Sequence, residues 1–304
     1  LDRRGTLLIL AFCLSLGVNQ VTVKIALPEI APLVQAALRS GGATIVLGCF
    51  ALASDRSFLK RDGTFWPGLA VGLLFAVEFI ALYLGLQWTS ASHAVLFLYT
   101  APFFVAVGLL IFFPEERLRV TQWGGMILAF IGVACALGSS WLGVSWHGAS
   151  TMDRTILVGD LFCLVAGALW AATTLGVKAT KLRFASALKI LLYQLGVSTV
   201  VIAAAAVVHG EPWPHNVSPA ALASMSYQTF WVVCLSFLTW FWLLRRYRAG
   251  ELSAFTFLTP VIGVFAGWLW LGEALSLGFL LALCLVAAGI VLVNWRPRGI
   301  ATKT

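Results

Sequence analysis

The residue in this chain best placed to do chemistry is Glu78, a carboxylate inside an otherwise apolar stretch over residues 66–87, among Phe75, Phe79 and Ile80. On insertion scales a charge at the centre of a membrane helix costs about 2.5–3.5 kcal/mol, so such a residue needs a reason. A buried carboxylate stays ionised only if a cation or hydrogen-bond donors hold it so. Glu78 therefore has two readings, a proton-coupling acid or a hydrogen-bonding tie across a helix bundle. Asn19 and Gln20 in the stretch 6–26 and Gln194 in 187–208 are the amides at comparable depth. Amides of this kind serve either as bridges between helices or as contacts to a solute. Tyr83 follows Glu78 at i+5 and points partly around the same helix, whereas Tyr99 precedes Pro102 by three residues and shares its face. A phenol offers a bound solute both a stacking face and a hydroxyl, or simply fills a core. Trp170 and Trp240 lie deep in their stretches, where an indole N–H requires a partner or a cavity. Most other tryptophans fall near stretch ends, where the headgroup region suits an amphipathic ring.

Together Asn19, Gln20, Glu78, Tyr83, Tyr99, Trp170 and Trp240 supply polar hooks and aromatic walls. A zwitterion needs an acceptor for its ammonium and donors for its carboxylate, and this set offers both. Catalysis finds no support: there is no nucleotide loop, nucleophile elbow, H-E-x-x-H or paired catalytic carboxylate. His93, His147, His209 and His215 are spaced too irregularly for a metal site, and no cofactor is implied. All six cysteines fall inside apolar stretches without C-x-x-C spacing, which indicates packing rather than disulfides or zinc.

The elements that must position these residues follow from composition. Of 304 residues 61% are hydrophobic and only 11% charged, with a mean hydropathy of +0.95; a water-exposed surface cannot be made from such a chain. About 20 residues of helix cross a bilayer core of roughly 30 Å, and apolar stretches of that length recur at 6–26, 33–53, 66–87, 93–113, 121–141, 156–177, 187–208, 228–247, 252–271 and 275–295. These runs show none of the in/out alternation of a β-barrel. The longest connection, 209–227, is Pro-rich and reads as loop. The expected fold is an all-α polytopic membrane protein with ten transmembrane helices.

The chain also repeats itself. Phe12-Cys13-Leu14 and Gly17 recur as Phe162-Cys163-Leu164 and Gly167, and Ala37-Leu38-Arg39 recurs as Ala187-Leu188-Lys189, at an offset of 150. Pro102 and Glu115 recur as Pro260 and Glu273 at an offset of 158, so the second copy gains eight residues between its second and fourth helices. Residues 1–148 and 149–304 are the two expected five-helix halves. Sixteen of the twenty basic residues fall at alternate connections, Lys24 and Arg154 at the opposite ones, and Arg39 and Lys189 inside the second stretch of each half. By the positive-inside rule both termini are cytoplasmic, and the charge of +8 reports topology rather than nucleic-acid binding. Five being odd, the second half enters the membrane from the opposite side, so the repeats are inverted, an arrangement used by many transporters. Pro102 and Pro260 are expected to bend their helices and to act as matched hinges. Glu115 and Glu273 precede the next helix and complement its N-terminal dipole. The glycines of the fifth and tenth stretches suit close packing within one chain or between two copies.

Two inverted halves, each with Pro102 to Glu115 followed by Gln122-Trp123-Gly124, or Pro260 to Glu273 followed by Ala288-Gly289-Ile290, resemble the drug/metabolite transporter superfamily and its EamA-like branch. The aromatic-rich third and fourth helices are similar to those of bacterial amino-acid and aromatic amino-acid exporters of that branch. The resemblance implies a central cavity lined by the first, third, fourth, sixth, eighth and ninth helices. It implies an inner (plasma) membrane exporter of amino acids or related small metabolites, as monomer or homodimer, working by alternating access. Export of hydrophobic drugs or nucleosides is the alternative, ahead of an integral-membrane enzyme or channel. Small multidrug relatives carry an acid in the first helix; this chain has Asn19 and Gln20 there, which disfavours their cation-antiport mechanism.

Overall fold

The computed structural model describes residues 2–54, 62–113, 123–125, 127–132, 135, 154–247, 255, 258–275 and 277–294, which form helices and the turns between them with no strand among them. The helices are α1 (Arg3–Ala26), α2 (Pro32–Ser54), α3 (Phe65–Trp88), α4 (Ala91–Leu98), α5 (Ala101–Phe112), α6 (Arg154–Ala179), α7 (Ala187–Val208), α8 (Pro219–Ser226), α9 (Phe237–Arg246), α10 (Leu258–Leu271) and α11 (Leu277–Asn294). Seven helical runs are long and apolar enough to cross a membrane, the fourth being α4 with α5 and the seventh running Pro219–Trp240; Trp123–Gly132, Leu258–Leu271 and Leu277–Gly289 are shorter apolar helices. The outer surface is apolar, with Ile45, Val200 and Phe184 largely exposed, while Gln35, Arg39, Ser40 and Glu78 are buried. A molecule built this way belongs in lipid, where helices satisfy their own backbone. The expected boundary at 148/149, Glu115 and most of the fifth stretch lie outside the described residues.

Two expectations are corrected. The segment 219–226 is helix, not loop: Ser218 accepts a hydrogen bond from the Ala221 N–H and Pro219 occupies the first helical position, a start signal that outweighs local polarity. The run continues through Tyr227–Ser236 as ten residues of π-helix before α9, and a π segment is a winding that periodicity does not reveal. Trp231, expected as a span-end anchor, therefore lies mid-span, and its indole donates to Ser15 Oγ of α1 at 2.8 Å.

The most extensive helix packing joins the N-terminal half to the C-terminal half: α3 with α6 and α7, α2 with α7, α1 with α10, and α4 with α10 and α6. Small residues set the closest crossings. A Cβ at Gly289 would collide with the backbone of Gly125 and Ala129, so this glycine of the last helix serves packing inside one chain, whereas a Cβ at Gly278 would meet nothing within 4 Å.

At the end of the bundle opposite the N terminus, carboxylates of one half hold helix starts of the other. Glu211 accepts from the Leu33 and Val34 N–H groups at 2.9 and 3.0 Å. Glu29 accepts from the Ser218 backbone N–H at 2.6 Å and from its hydroxyl at 2.7 Å. Gly272, at φ +65°, ends α10 in the left-handed conformation and turns Glu273 onto the Ala91 and Ser92 N–H groups of α4, at 2.6 and 3.0 Å. Glu273 thus caps a helix, as expected, but α4 rather than the helix that follows it. Lys24 complements the other polarity, donating to the Leu86 and Thr89 carbonyls at the end of α3.

The Ser218 N–H, and then its hydroxyl, hold the Glu29 carboxyl below the usual carboxylate range. A group depressed in the fold contributes stability above its unfolded pKa and loses it as pH falls, so this fastening is complete at neutral pH and released in acid. A nitroxide at Asn216 should gain mobility on acidification through the carboxylate range. In Glu29→Gln it should already be mobile at neutral pH; equal mobility in both proteins would show that the contact restrains nothing.

Candidate functional site

Arg39, on α2, is the largest fully buried side chain among the described residues, 2% exposed. Its guanidinium lies 4.3 Å from the centre of the Phe79 ring, a cation–π contact that offsets part of the cost of burial. Its charge reaches Glu78 and Tyr83 on α3. The Tyr83 hydroxyl donates to Gln228 Oε1 of the π segment at 2.8 Å. A five-residue hydrogen-bonding register leaves room for more residues per turn than an α-helix, and Gln228 enters that segment fully buried.

This centre is incompletely satisfied. Arg39 Nε and Nη1, Glu78 Oε2, Gln228 Nε2 and Ser40 Oγ are buried without hydrogen-bond partners, as are Asn19 Oδ1, Gln20 Oε1 and Gln35 Oε1. Buried polar groups are ordinarily paired, and an unpaired buried charge is among the most costly features a fold can carry. Arg39, Glu78, Tyr83 and Gln228 form one buried group, joined by the Arg39 charge and the Tyr83 hydrogen bond, and its unpaired donors and acceptor are chemically complementary to a ligand bearing both an anion and a cation.

Glu78 therefore has a cationic neighbour. The neighbour comes from another helix, at a sequence distance that inspection of α3 alone does not reach. Asp160, on α6 and nearer a helix end, is a second buried carboxylate within a candidate span.

The predicted site residues fall into separate groups. Glu78 and Tyr83 share the Arg39 centre. Asn19 and Gln20 are buried on α1; Asn19 lies one turn beyond Ser15, which receives hydrogen bonds from Tyr227 and Trp231 of the π segment. Tyr99 meets Trp170 edge-on at 5.6 Å. Trp240 stacks on Phe12 at 4.9 Å, within an apolar cluster of Ile9, Phe12, Cys13 and Leu243. Trp170 and Trp240 are half-buried.

The fourth span is broken at Tyr99 and Thr100, and Pro102 is the second residue of α5. A proline there lacks the N–H that would continue the α4 ladder. Gly167 of α6 packs against the Phe97 and Leu98 carbonyls at this break. Pro260 is buried near the start of α10.

Helices with an apolar exterior, a buried charged centre and an interrupted span define a multi-pass membrane transporter. The profile of the EamA-like transporter family matches residues 3–138 and again 157–295, and the chain belongs to that family. It is 28% identical to the uncharacterized transporter YvbV of Bacillus subtilis (strain 168), over 98% of this chain and 94% of that one. It is 24% identical to the uncharacterized transporter YoaV of the same organism, over 93% and 94%. A solved crystal structure covering 95% of this chain, and 96% of its own, superposes with a TM-score of 0.65 at 18% identity, a likeness of fold alone.

Proposed function

We propose that the protein exports amino acids or related small metabolites across the inner (plasma) membrane by alternating access. The substrate is held between Arg39 and Glu78. The observation that supports this reading is that Arg39 Nε and Nη1 and Glu78 Oε2 are buried and make no hydrogen bond among the described residues. Arg39 and Gln228 would receive the substrate carboxylate, Glu78 its ammonium, and Tyr83 orients Gln228. Arg39 matches a carboxylate as a planar fork. Because α2 lies outside the cavity that the family resemblance implies, this site sits to one side of it, with Asn19 and Gln20 on the approach along α1.

In this reading residues 1–148 and 149–304 are inverted five-helix halves, ten spans in all, that rock about the site. Pro102 and Pro260 are the matched hinges. Replacing either with Ala should slow exchange several-fold and leave the folded yield intact; loss of transport from one and silence from the other would end the symmetric-hinge idea. Both termini face the cytoplasm, so a cysteine at Asn216 should react with an impermeant reagent in intact cells. Reaction only after lysis would reverse the orientation.

The deciding experiment is counterflow in proteoliposomes loaded with a labelled amino acid. External free amino acid should accelerate efflux, whereas its methyl ester and its decarboxylated amine, each lacking the carboxylate, should not. Acceleration by all three, or by nucleosides and apolar drugs alone, would replace the amino-acid reading. Efflux without acceleration by any solute would point to a channel.

A further inference from the structure

We propose that the groove between α1 and α9, at the end of the bundle that carries the N terminus, binds an anionic phospholipid, its phosphate on Arg4 and an acyl chain against Leu8 and Leu238. The inference rests on the chain lying in a bilayer and is independent of what it transports. Arg4, Leu8, Leu238, Thr239 and Trp242 line this groove, which holds about 280 Å³. Arg4 and Leu8 are one turn apart on α1, as are Trp242 and Leu238 on α9, and residues at that spacing share a helix face. The Arg4 guanidinium lies 5.3 Å from the centre of the Trp242 ring. The two helices therefore meet with a charged level at the end of the bundle and an apolar level one turn deeper. A phospholipid has the same order, phosphate outermost and hydrocarbon below. Leu7 and Leu14, on the adjoining stripe of α1, are exposed, so the groove borders the surface that faces lipid.

The charges at this rim favour an anion. The Arg246 guanidinium lies 5.8 Å from the centre of the same Trp242 ring, so one indole gathers two cations. Each is attracted to the ring, and each repels the other. Asp2 is the acid that precedes α1, and its carboxylate is already engaged: it accepts from the Gly5 N–H at 2.7 Å and from the Tyr247 hydroxyl at 2.6 Å, and its field falls on Arg246. Arg4 is exposed and forms no ion pair among the described residues. A phosphodiester brings one negative charge and free oxygens that match the planar fork of a guanidinium, and basic pockets between transmembrane helices take anionic headgroups. The Thr239 hydroxyl donates to the Leu235 carbonyl at 2.9 Å, which leaves recognition to charge and apolar fit. A soluble anion would meet Arg4 and leave Leu8 and Leu238 uncovered. A zwitterionic lipid would cover them and bring a cation of its own beside the arginines.

The test is a titration of the delipidated full chain, in a neutral detergent, with phosphatidylglycerol, the bound lipid being counted by native mass spectrometry. Phosphatidylglycerol should bind saturably and about tenfold more tightly than phosphatidylcholine. Arg4→Gln should remove that preference, lowering the affinity for phosphatidylglycerol about tenfold, as expected for the loss of a charge-assisted partner. Leu8→Trp fills the groove and keeps every charge, and it should weaken both lipids. Arg183→Gln, at an exposed arginine outside the groove, should change neither, and glycerol phosphate, the head without its chains, should not displace the lipid. Equal affinity for the two lipids, no loss in Arg4→Gln, or the same loss in Arg183→Gln would overturn the proposal in favour of diffuse attraction to surface charge. Displacement by glycerol phosphate would overturn it in favour of a soluble-anion site. Should Leu8→Trp not fold, the comparison of Arg4→Gln with Arg183→Gln decides it, and because no substrate enters the titration its outcome is separate from that of the counterflow experiment.

Discussion

Arg39→Gln should abolish substrate exchange and destabilise the protein by about 3 kcal/mol, because removing one of two buried opposite charges leaves the other uncompensated. Glu78→Gln should do the same to exchange. The informative variant is the pair of replacements Arg39→Leu with Glu78→Leu. Replacing both charges by apolar groups is often neutral or stabilising, so the thermal midpoint in detergent should return to that of the parent or exceed it, while exchange stays absent. If the double variant recovers exchange together with stability, the two residues are structural and the substrate lies elsewhere. If Glu78→Gln alone preserves exchange but loses accumulation driven by a pH gradient, Glu78 carries a proton rather than an ammonium group.

Gly159→Val should prevent the folded protein from accumulating. A Cβ there would sit 2.8 Å from the Thr89 backbone nitrogen and 2.9 Å from the Gly85 carbonyl oxygen. Both neighbours are backbone in the most extensive helix crossing of the molecule, so neither can move aside as a flexible side chain would. The expected penalty is about 3 kcal/mol or more, the upper range for overpacking. Gly48, whose Cβ would meet nothing within 4 Å, provides the control: Gly48→Ala should be silent. Folded protein at normal yield from Gly159→Val would mean that the α3–α6 crossing is looser than the structure shows.

Much of the helical architecture was legible because continuous apolar runs of membrane length allow few alternatives. Glu78 and Tyr83 were legible for the same reason, as polar groups where polar groups are costly. Arg39 left a signal that was undervalued: an arginine inside the stretch 33–53, with Lys189 at the matching position of the second copy. Their burial reflects neighbours from elsewhere in the chain, Phe79 of α3 for Arg39 and Asp62, in the turn before α3, at 2.8 Å for Lys189. Positive charges in membrane proteins are usually read as topology, and that habit hid a pair of interior ones. Gln228 was hidden by the π winding, since a local change of hydrogen-bond register has no counterpart in the spacing of apolar residues. Asp160 was hidden by its place nearer a helix end, where a carboxylate attracts no notice until His93 is seen against it. Trp170 and Trp240 were chosen for depth alone, and depth does not say whether an indole faces a cavity or another ring.

The caps exchanged at the far end bear on how the chain is made. Synthesis delivers α2 and α4 to the membrane well before Glu211 and Glu273 leave the ribosome, and until then the Leu33, Val34, Ala91 and Ser92 N–H groups lack the partners they have in the finished protein. The first half alone would therefore carry open helix ends until the second half supplies their partners. A gene split between the halves should yield stable protein only when both parts are translated in the same cell, and quality-control proteases should clear either fragment expressed without the other.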